Sequence, residues 1–142
     1  MTVARILTSK GARVATTRSD ATIKSTADRL TKEGIGALVV TDGAEKIVGI
    51  VSERDIVRGL AAHGAGLLEM PVSALMTRSV AICRMDSAVD EVMARMTAER
   101  IRHVPVVDGV RLAGIVSIGD VVKHALDAME SEVRMLREYI TH

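Results

Sequence analysis

The pattern of apolar and polar positions divides the chain into two units with the same order of predicted helices and strands. Residues 14–43 align with residues 80–109, and GIVSERDIV at 49–57 aligns with GIVSIGDVV at 114–122. Self-similarity at a fixed spacing is the sequence signature of a repeated structural unit. The chain is therefore expected to fold as two similar units that share one arrangement of helices and strands.

The first helix of each unit is predicted from apolar residues at helical spacing, which follow a possible N-cap at Asp20 or Asp86. A short strand near Val14 or Val80 is expected to precede this helix. Gly34 follows the first helix where a C-terminal cap is expected. The apolar positions are Ile23, Thr26, Ala27 and Leu30 in the first unit and Val89, Val92, Met93 and Met96 in the second.

Two β-type runs then flank an Asp-Gly pair, which is a strong signal for a hairpin. The pairs are Asp42-Gly43 and Asp108-Gly109, and a second helix is expected to begin at Glu53 or Ile118. One such unit can bury too little surface to be stable alone. Two units are therefore expected to pack sheet to sheet about a pseudo-twofold axis.

Two segments lie outside this repeat. Residues 61–77 contain Gly64, Gly66 and Pro71, and are expected to form a solvated loop that leads to a short helix at 72–76. Near the C-terminus, apolar residues recur at steps of 4, 3, 4, 3 and 4, which is a heptad pattern. This seam consists of Val122, Leu126, Met129, Val133, Leu136 and Ile140. It favours self-association, and the alternative is a helix that packs on its own chain.

Composition narrows the classes of function. The 142 residues are 48% hydrophobic but contain no Phe or Trp and one Tyr, and the net charge is +1. A chain without a strongly basic balance or aromatic stacking platforms is not expected to bind nucleic acid. No apolar run suits a signal peptide or a membrane span, so neither membrane insertion nor export is expected.

The reactive residues are few and scattered. Cys83 is the single cysteine, which fits a reducing cytoplasm, and it is interpreted as a small core residue. The four histidines, at 63, 103, 124 and 142, have no ligand spacing that predicts a metal site. No nucleophile stands with a base in a pattern typical of catalysis, so the chain is not expected to be an enzyme.

These features together resemble the tandem CBS-domain family, the cystathionine-β-synthase-type regulatory pair, in its stand-alone form. The resemblance runs from about Arg5 to Leu126 and is carried by GIGALVVTDGAEKIVGIVSERDIVRGLA in the first unit, with VSALMT and IRHVPVVDGVRLAGIVSIGDVV in the second. It implies a mixed α/β (α+β) fold in which two modules form one disc with two clefts between them. The expected division is a first module at 1–62, a linker at 63–71, a second module at 72–126 and a helical extension at 127–142.

The resemblance also implies a function. Members commonly bind AMP, ADP, ATP, S-adenosylmethionine or NAD in these clefts, and AMP is the first choice here, with NAD or ATP as alternatives and no metal. Members commonly pair as homodimers of discs and regulate another protein, whose identity the chain does not reveal. The rival hypothesis is an interaction or oligomerisation module that acts without a ligand.

The shared Ser-x-x-Asp step supplies the candidate chemistry. Ser52 and Ser117 suit a helix N-cap, and Asp55 and Asp120 lie where the helix dipole favours a carboxylate. Capping alone would explain all four residues. In the family the corresponding Asp holds ribose, which assigns one Asp to each cleft. The predicted residues of cleft 1 are Ser52, Arg54, Asp55, Val80, Ile101, Arg102 and His103, and those of cleft 2 are Val14, Ile35, Gly36, Ala37, Val104, Pro105, Ser117, Gly119 and Asp120.

The remaining residues have proposed partners on the ligand. Adenine would meet the backbone of Gly36–Leu38 and His103–Pro105 between aliphatic side chains, and phosphates would meet Arg54, Arg102 and His103. The alternatives are core positions for Ile35 and Ile101 and solvated surface positions for the arginines. Because Glu53-Arg54 becomes Ile118-Gly119 in the second unit, the clefts are expected to differ in affinity or ligand.

Overall fold

A computed structural model describes residues 1–43 and 46–141. The helices are α1 (Val3–Lys10), α2 (Ile23–Glu33), α3 (Glu53–His63), α4 (Val89–Glu99) and α5 (Ile118–Thr141). The strands are β1 (Thr16–Arg18), β2 (Ala37–Thr41), β3 (Ile47–Ser52), β4 (Cys83–Arg84), β5 (His103–Asp108) and β6 (Arg111–Ser117). Two 3₁₀ helices, Gly64–Glu69 and Val72–Ala74, join the two halves.

The two halves contain sheets of identical topology, which confirms the repeated mixed α/β fold. In each sheet a short strand runs parallel to the middle strand, and the middle strand pairs antiparallel with the third. Both hairpins shift register at the same place, after Val40 in one sheet and after Val106 in the other. The predicted hairpins and the predicted starts of α3 and α5 are confirmed.

The first helix of each half begins later than the predicted caps. Thr22 caps α2 by accepting a hydrogen bond from the Ser25 N–H, and Ala88 precedes α4 without a side-chain cap. The prediction that Asp20 and Asp86 cap these helices is wrong, because each residue lies in the turn before the helix.

The predicted apolar face of each first helix is correct, since most of its residues are buried. Gly34 ends α2 in the left-handed conformation, as predicted, and Arg100 adopts the same conformation after α4.

The N-terminal helix packs on the second half of the chain, and the connector between the halves packs on the first. The α1 residues Val3, Ile6 and Leu7 are buried in the core of the second half, among Val92, Val106 and Val116. The segment after α3 instead packs on the first half, where Leu67, Val72 and Met76 join Leu38 and Val51. The expected solvated loop is therefore wrong at Leu67, which is fully buried because the 3₁₀ helix turns it into the core.

The C-terminal extension is continuous with the second helix of its unit. α5 runs for 24 residues, from Ile118 to Thr141, and His142 lies outside the described residues. All six residues of the predicted seam are exposed, from 46% at Val133 to 80% at Ile140. The seam therefore forms no core with the rest of the described chain.

Candidate functional site: two clefts between the modules

Cleft 1 is built around the corner where β3 turns into α3. Ser52 ends the strand, and its hydroxyl accepts a hydrogen bond from the Asp55 N–H at 3.3 Å. The Asp55 Oδ2 accepts the Ser52 N–H at 2.9 Å, so the predicted capping pair is confirmed. The first N–H of the helix, on Glu53, donates to the Gly36 carbonyl at 3.0 Å. This corner therefore fixes the start of α3, with Asp55 in its first turn, beside Gly36, the residue before β2.

All seven predicted residues of cleft 1 lie in its lining, although their role in binding remains a prediction. The cleft measures about 180 Å³ and takes its walls from both halves of the chain. Its charged residues are four arginines, Arg54, Arg58, Arg100 and Arg102, and three acids, Glu53, Asp55 and Glu99. The excess of one positive charge suits an anionic ligand.

A backbone bridge closes one side of cleft 1. The Thr77 N–H donates to the Ile50 carbonyl at 2.9 Å, and the Ile50 N–H donates back at 3.0 Å. Gly49 permits this approach, since a Cβ there would lie 2.7 Å from the Met76 Sδ and 3.0 Å from the Thr77 carbonyl oxygen. The bridge brings the following residues, Ser79 to Ala81, to the cleft wall.

Cleft 2 repeats the corner with β6 and α5. The Asp120 Oδ2 accepts the Ser117 N–H at 2.8 Å and the Ser117 hydroxyl at 2.9 Å, and the Ser117 hydroxyl accepts the Asp120 N–H at 3.2 Å. The first N–H of α5, on Ile118, donates to the Arg102 carbonyl at 2.8 Å. The lining of this cleft, which measures about 500 Å³, comprises Lys10, Arg13, Ala15, Glu33, Gly34, Ile35, Gly36, Ala37, His103, Ile115 and Ser117.

Four predicted residues of cleft 2 line it: Ile35, Gly36, Ala37 and Ser117. Asp120 is not in the lining itself but is hydrogen-bonded to two residues that are, Ser117 and Lys10, and Val14 is half-buried outside the lining. Val104 and Pro105 are buried in β5, the middle strand of its sheet, and neither is in the lining. Their predicted backbone contacts with adenine stay a prediction. Gly119 lies on a shallow outer groove of α5 instead.

Lys10, the last residue of α1, distinguishes the two corners. Its Nζ lies 2.6 Å from the Asp120 Oδ2 and 2.8 Å from the Ile115 carbonyl oxygen. Burial raises the pKa of Asp120, but the hydrogen bonds from Lys10 and Ser117 outweigh this and hold the pKa below its ordinary value. The ribose carboxylate expected in cleft 2 is therefore already engaged by a lysine from the same chain.

His103 lies in the walls of both clefts. Gly36 makes room for it, since a Cβ at Gly36 would lie 3.1 Å from the His103 Nε2. Burial, followed by the positive charge of Lys10, lowers the pKa of this imidazole below its usual value. A lowered pKa favours the neutral imidazole, which has one donor and one acceptor, and the contact of His103 with phosphates stays a prediction.

Sequence reasoning missed several lining residues. Lys10 lies outside the aligned repeat, so no partner position indicated it. Arg100 carried a usable signal, because it aligns with Gly34 and so replaces a glycine at a helix C-terminus. Ser79 and Thr77 reach cleft 1 only through the bridge to β3, which a local pattern cannot reveal.

Cys83 is placed as expected, in the core of the second half. Burial raises the pKa of its thiol to about 11, which keeps it protonated and weakly nucleophilic. Within residues 1–43 and 46–141, no cluster of His, Cys, Asp or Glu has a geometry that could hold a metal ion.

Comparison with known proteins assigns the class. A model of the CBS domain matches residues 3–62 and 72–127, so the chain belongs to the CBS-domain family. The chain is 45% identical to the CBS-domain-containing protein ATU1752 from Agrobacterium tumefaciens, with a TM-score of 0.86 over 88% of this chain and 99% of that one. It is 31% identical to the CBS domain pair of protein MJ0100, solved with 5′-methylthioadenosine and S-adenosyl-L-methionine, with a TM-score of 0.81 over 90% and 98% of the two chains.

The curated relatives include longer proteins. The chain is 32% identical to the mitochondrial CBS domain-containing protein CBSX3 of Arabidopsis thaliana, over 86% of this chain and 61% of that protein. It thus spans less than two thirds of CBSX3. None of the helices in the described part of the chain is long and apolar enough to cross a membrane.

Proposed function

We propose that this chain is a regulatory module that binds adenosine-containing ligands in clefts 1 and 2. The observation that carries the proposal is the paired corner, in which Asp55 and Asp120 are fixed beside the clefts by Ser52 and Ser117. A carboxylate at such a corner can accept hydrogen bonds from both hydroxyls of a ribose. The adenosine ligands of the similar MJ0100 pair support the same class of ligand.

AMP is the first candidate for cleft 1. Arg54, Arg58, Arg100 and Arg102 line this cleft together with Asp55, the expected ribose ligand, and they exceed the cleft's three acids by one charge. Arginine suits phosphate because its planar fork of donors matches the phosphate oxygens. ATP and NAD carry the same adenosine group and are the alternatives for this cleft.

Regulation follows from the position of the clefts. Each cleft takes walls from both halves of the chain, so a bound ligand contacts both. A ligand that prefers one relative arrangement of the halves shifts the population toward it. A partner protein that binds this arrangement would then sense the ligand, with no catalytic step in the module itself.

The first test uses the unusual optical properties of the chain. With one Tyr and no Trp, the protein absorbs little ultraviolet light, so a co-purified nucleotide would dominate the spectrum. Mass spectrometry of the supernatant after denaturation should identify an adenosine compound. Less of it should be retained by Asp55→Ala or Asp120→Ala, whereas Asp28→Ala, on the exposed surface of α2, should retain it fully. A retained ligand without adenine would contradict the proposal.

The second candidate function, a self-association module, rests on the exposed seam of α5. Six apolar residues on one helical face lie outside the core, and exposed apolar stripes of this kind mark interaction surfaces. We expect truncation after Ala128 to lower the mass of the protein in solution beyond the removed residues. Leu136→Glu should do the same, and Met135→Glu, exposed but off the seam, is the matched control. An unchanged oligomer in both seam variants would exclude this role.

A further inference from the structure

We propose that Lys10 determines which ligands cleft 2 accepts, by selecting adenosine ligands that carry an anionic group. The inference rests on the proposed function, since it names the ligand class of a site already assigned to adenosine. In the described structure Lys10 holds Asp120, and a ligand with a negative charge offers the lysine a second partner.

The contact occupies one of the two oxygens of the Asp120 carboxylate, and a ribose that donates one hydroxyl to each oxygen would need both. The Asp120 Oδ2 accepts hydrogen bonds from the Ser117 N–H, the Ser117 hydroxyl and the Lys10 ammonium, all within 2.9 Å. A ribose hydroxyl that donates to this oxygen must displace one of them. The Ser117 contacts belong to the helix cap, whereas the lysine side chain is long, flexible and about one-third exposed. Lys10 is therefore the group that moves.

Cleft 1 provides an internal comparison. Asp55 accepts the same two hydrogen bonds from Ser52, at 2.9 and 3.1 Å, but within the described residues it has no ion pair with a lysine. The carbonyl of Ile50 in cleft 1 is satisfied by the Thr77 backbone N–H, whereas the equivalent carbonyl of Ile115 is satisfied by the Lys10 side chain. A fixed backbone bridge in one corner is thus replaced by a mobile cation in the other.

The replacement sets a selection rule. A neutral ligand such as adenosine must break the ion pair of Lys10 and leave a partly buried ammonium without a carboxylate, which opposes binding. A ligand with a phosphate offers the ammonium a new anion in the same cleft, because Lys10 lines the cleft wall. Arg13 lines the same wall with a side chain 90% exposed, and it lies 3.4 Å from the carboxylate of Glu33, which also lines the cleft. Phosphorylated adenosine ligands are therefore favoured over neutral ones.

The test compares adenosine with AMP by calorimetric titration. The Asp55→Ala background removes the expected ribose contact of cleft 1, so that cleft 2 is observed. In this background AMP should bind at least roughly tenfold more tightly than adenosine, equivalent to about 1.4 kcal/mol. Adding Lys10→Met should weaken AMP, strengthen adenosine and bring the ratio near one. Lys24→Met, which breaks an exposed lysine–aspartate pair on α2, is the matched control and should leave the ratio unchanged.

A second variant and a measurement on the native protein show whether a change seen in Lys10→Met comes from misfolding rather than from the loss of the lysine. Lys10→Gln keeps a polar side chain and should give the same loss of preference. In the native chain, the carbonyl carbon resonance of Ile115 should shift more with AMP than with adenosine. Both ligands break the contact of Lys10 with Asp120, but only AMP offers the ammonium a phosphate that competes with the Ile115 carbonyl.

The outcomes separate the two proposals. An unchanged AMP preference in both Lys10 variants, or tighter AMP binding in both, overturns the selection rule while leaving adenosine binding intact. Loss of all binding in Asp55→Ala, with binding in the native chain, also overturns it, because cleft 2 would then take no such ligand. Absence of binding by the native chain overturns the proposed function itself.

Discussion

The packing of α1 on the second half of the chain can be tested by a double-mutant cycle at Leu7 and Gly114. A Cβ built at Gly114 would lie 2.7 and 2.8 Å from the two methyl carbons of Leu7, so the leucine occupies the space above this glycine. This contact holds α1 on β6 and thereby brings Lys10 to Asp120. The two residues should therefore couple strongly in the free energy of unfolding.

The expected magnitudes follow from this packing. Leu7 is 4% exposed, so Leu7→Ala should lower the free energy of unfolding by about 2–5 kcal/mol. Gly114→Ala alone overpacks the contact and should cost about 1–3 kcal/mol. In the double variant the new methyl group enters the space that Leu7 vacated, so the second cost disappears. The double variant should therefore be more stable than the sum of the single effects predicts by at least about 1 kcal/mol.

Urea unfolding of the four proteins measures this coupling. Gly49→Ala is the matched control, because Gly49 is the repeat equivalent of Gly114 but contacts Met76 in the other core. Its effect should add to that of Leu7→Ala within about 0.5 kcal/mol. Additive effects of Leu7→Ala and Gly114→Ala would refute the packing of α1 on the second half.

Two further predictions concern the clefts. Arg100→Gly should raise the free energy of unfolding by about 1 kcal/mol, because the φ of 56° at Arg100 is strained for any residue with a side chain but not for glycine. A destabilised variant would contradict this. The same substitution should weaken the binding of AMP in cleft 1, because it removes an arginine from the lining. Because the folded pKa of His103 is depressed, its contribution to stability is complete above its unfolded pKa of about 6.5 and declines as pH falls below that value. Thermal unfolding between pH 7 and 5 should show a shallower decline for His103→Gln, and an equal slope would refute the assignment. The depressed pKa of Asp120 acts only below about pH 4, outside this window.

Much of the fold could be predicted because local signals agree with the long-range pairing. The Asp-Gly turns joined the right strands, and Ser52 and Ser117 mark the starts of α3 and α5. The helix caps at Asp20 and Asp86 failed because an acidic residue in a turn carries the same local signal as a cap.

What escaped prediction depends on contacts between distant segments. Lys10 contacts Asp120 because α1 packs on the second half, and the local sequence of α1 does not indicate which half it packs on. Leu67 is buried for the same reason, since the connector completes the first core. Repeat comparison predicted the shared corner of each cleft but not the contact of Lys10 with Asp120 in cleft 2.

The central claim, that the two corners bind adenosine ligands through Asp55 and Asp120, is tested most directly by calorimetric titration with AMP. The native chain should bind AMP at two sites of unequal affinity. Asp55→Ala should remove one site and Asp120→Ala the other. Binding that neither substitution weakens, or no binding of AMP, ATP, NAD or S-adenosylmethionine by the native chain, would contradict it.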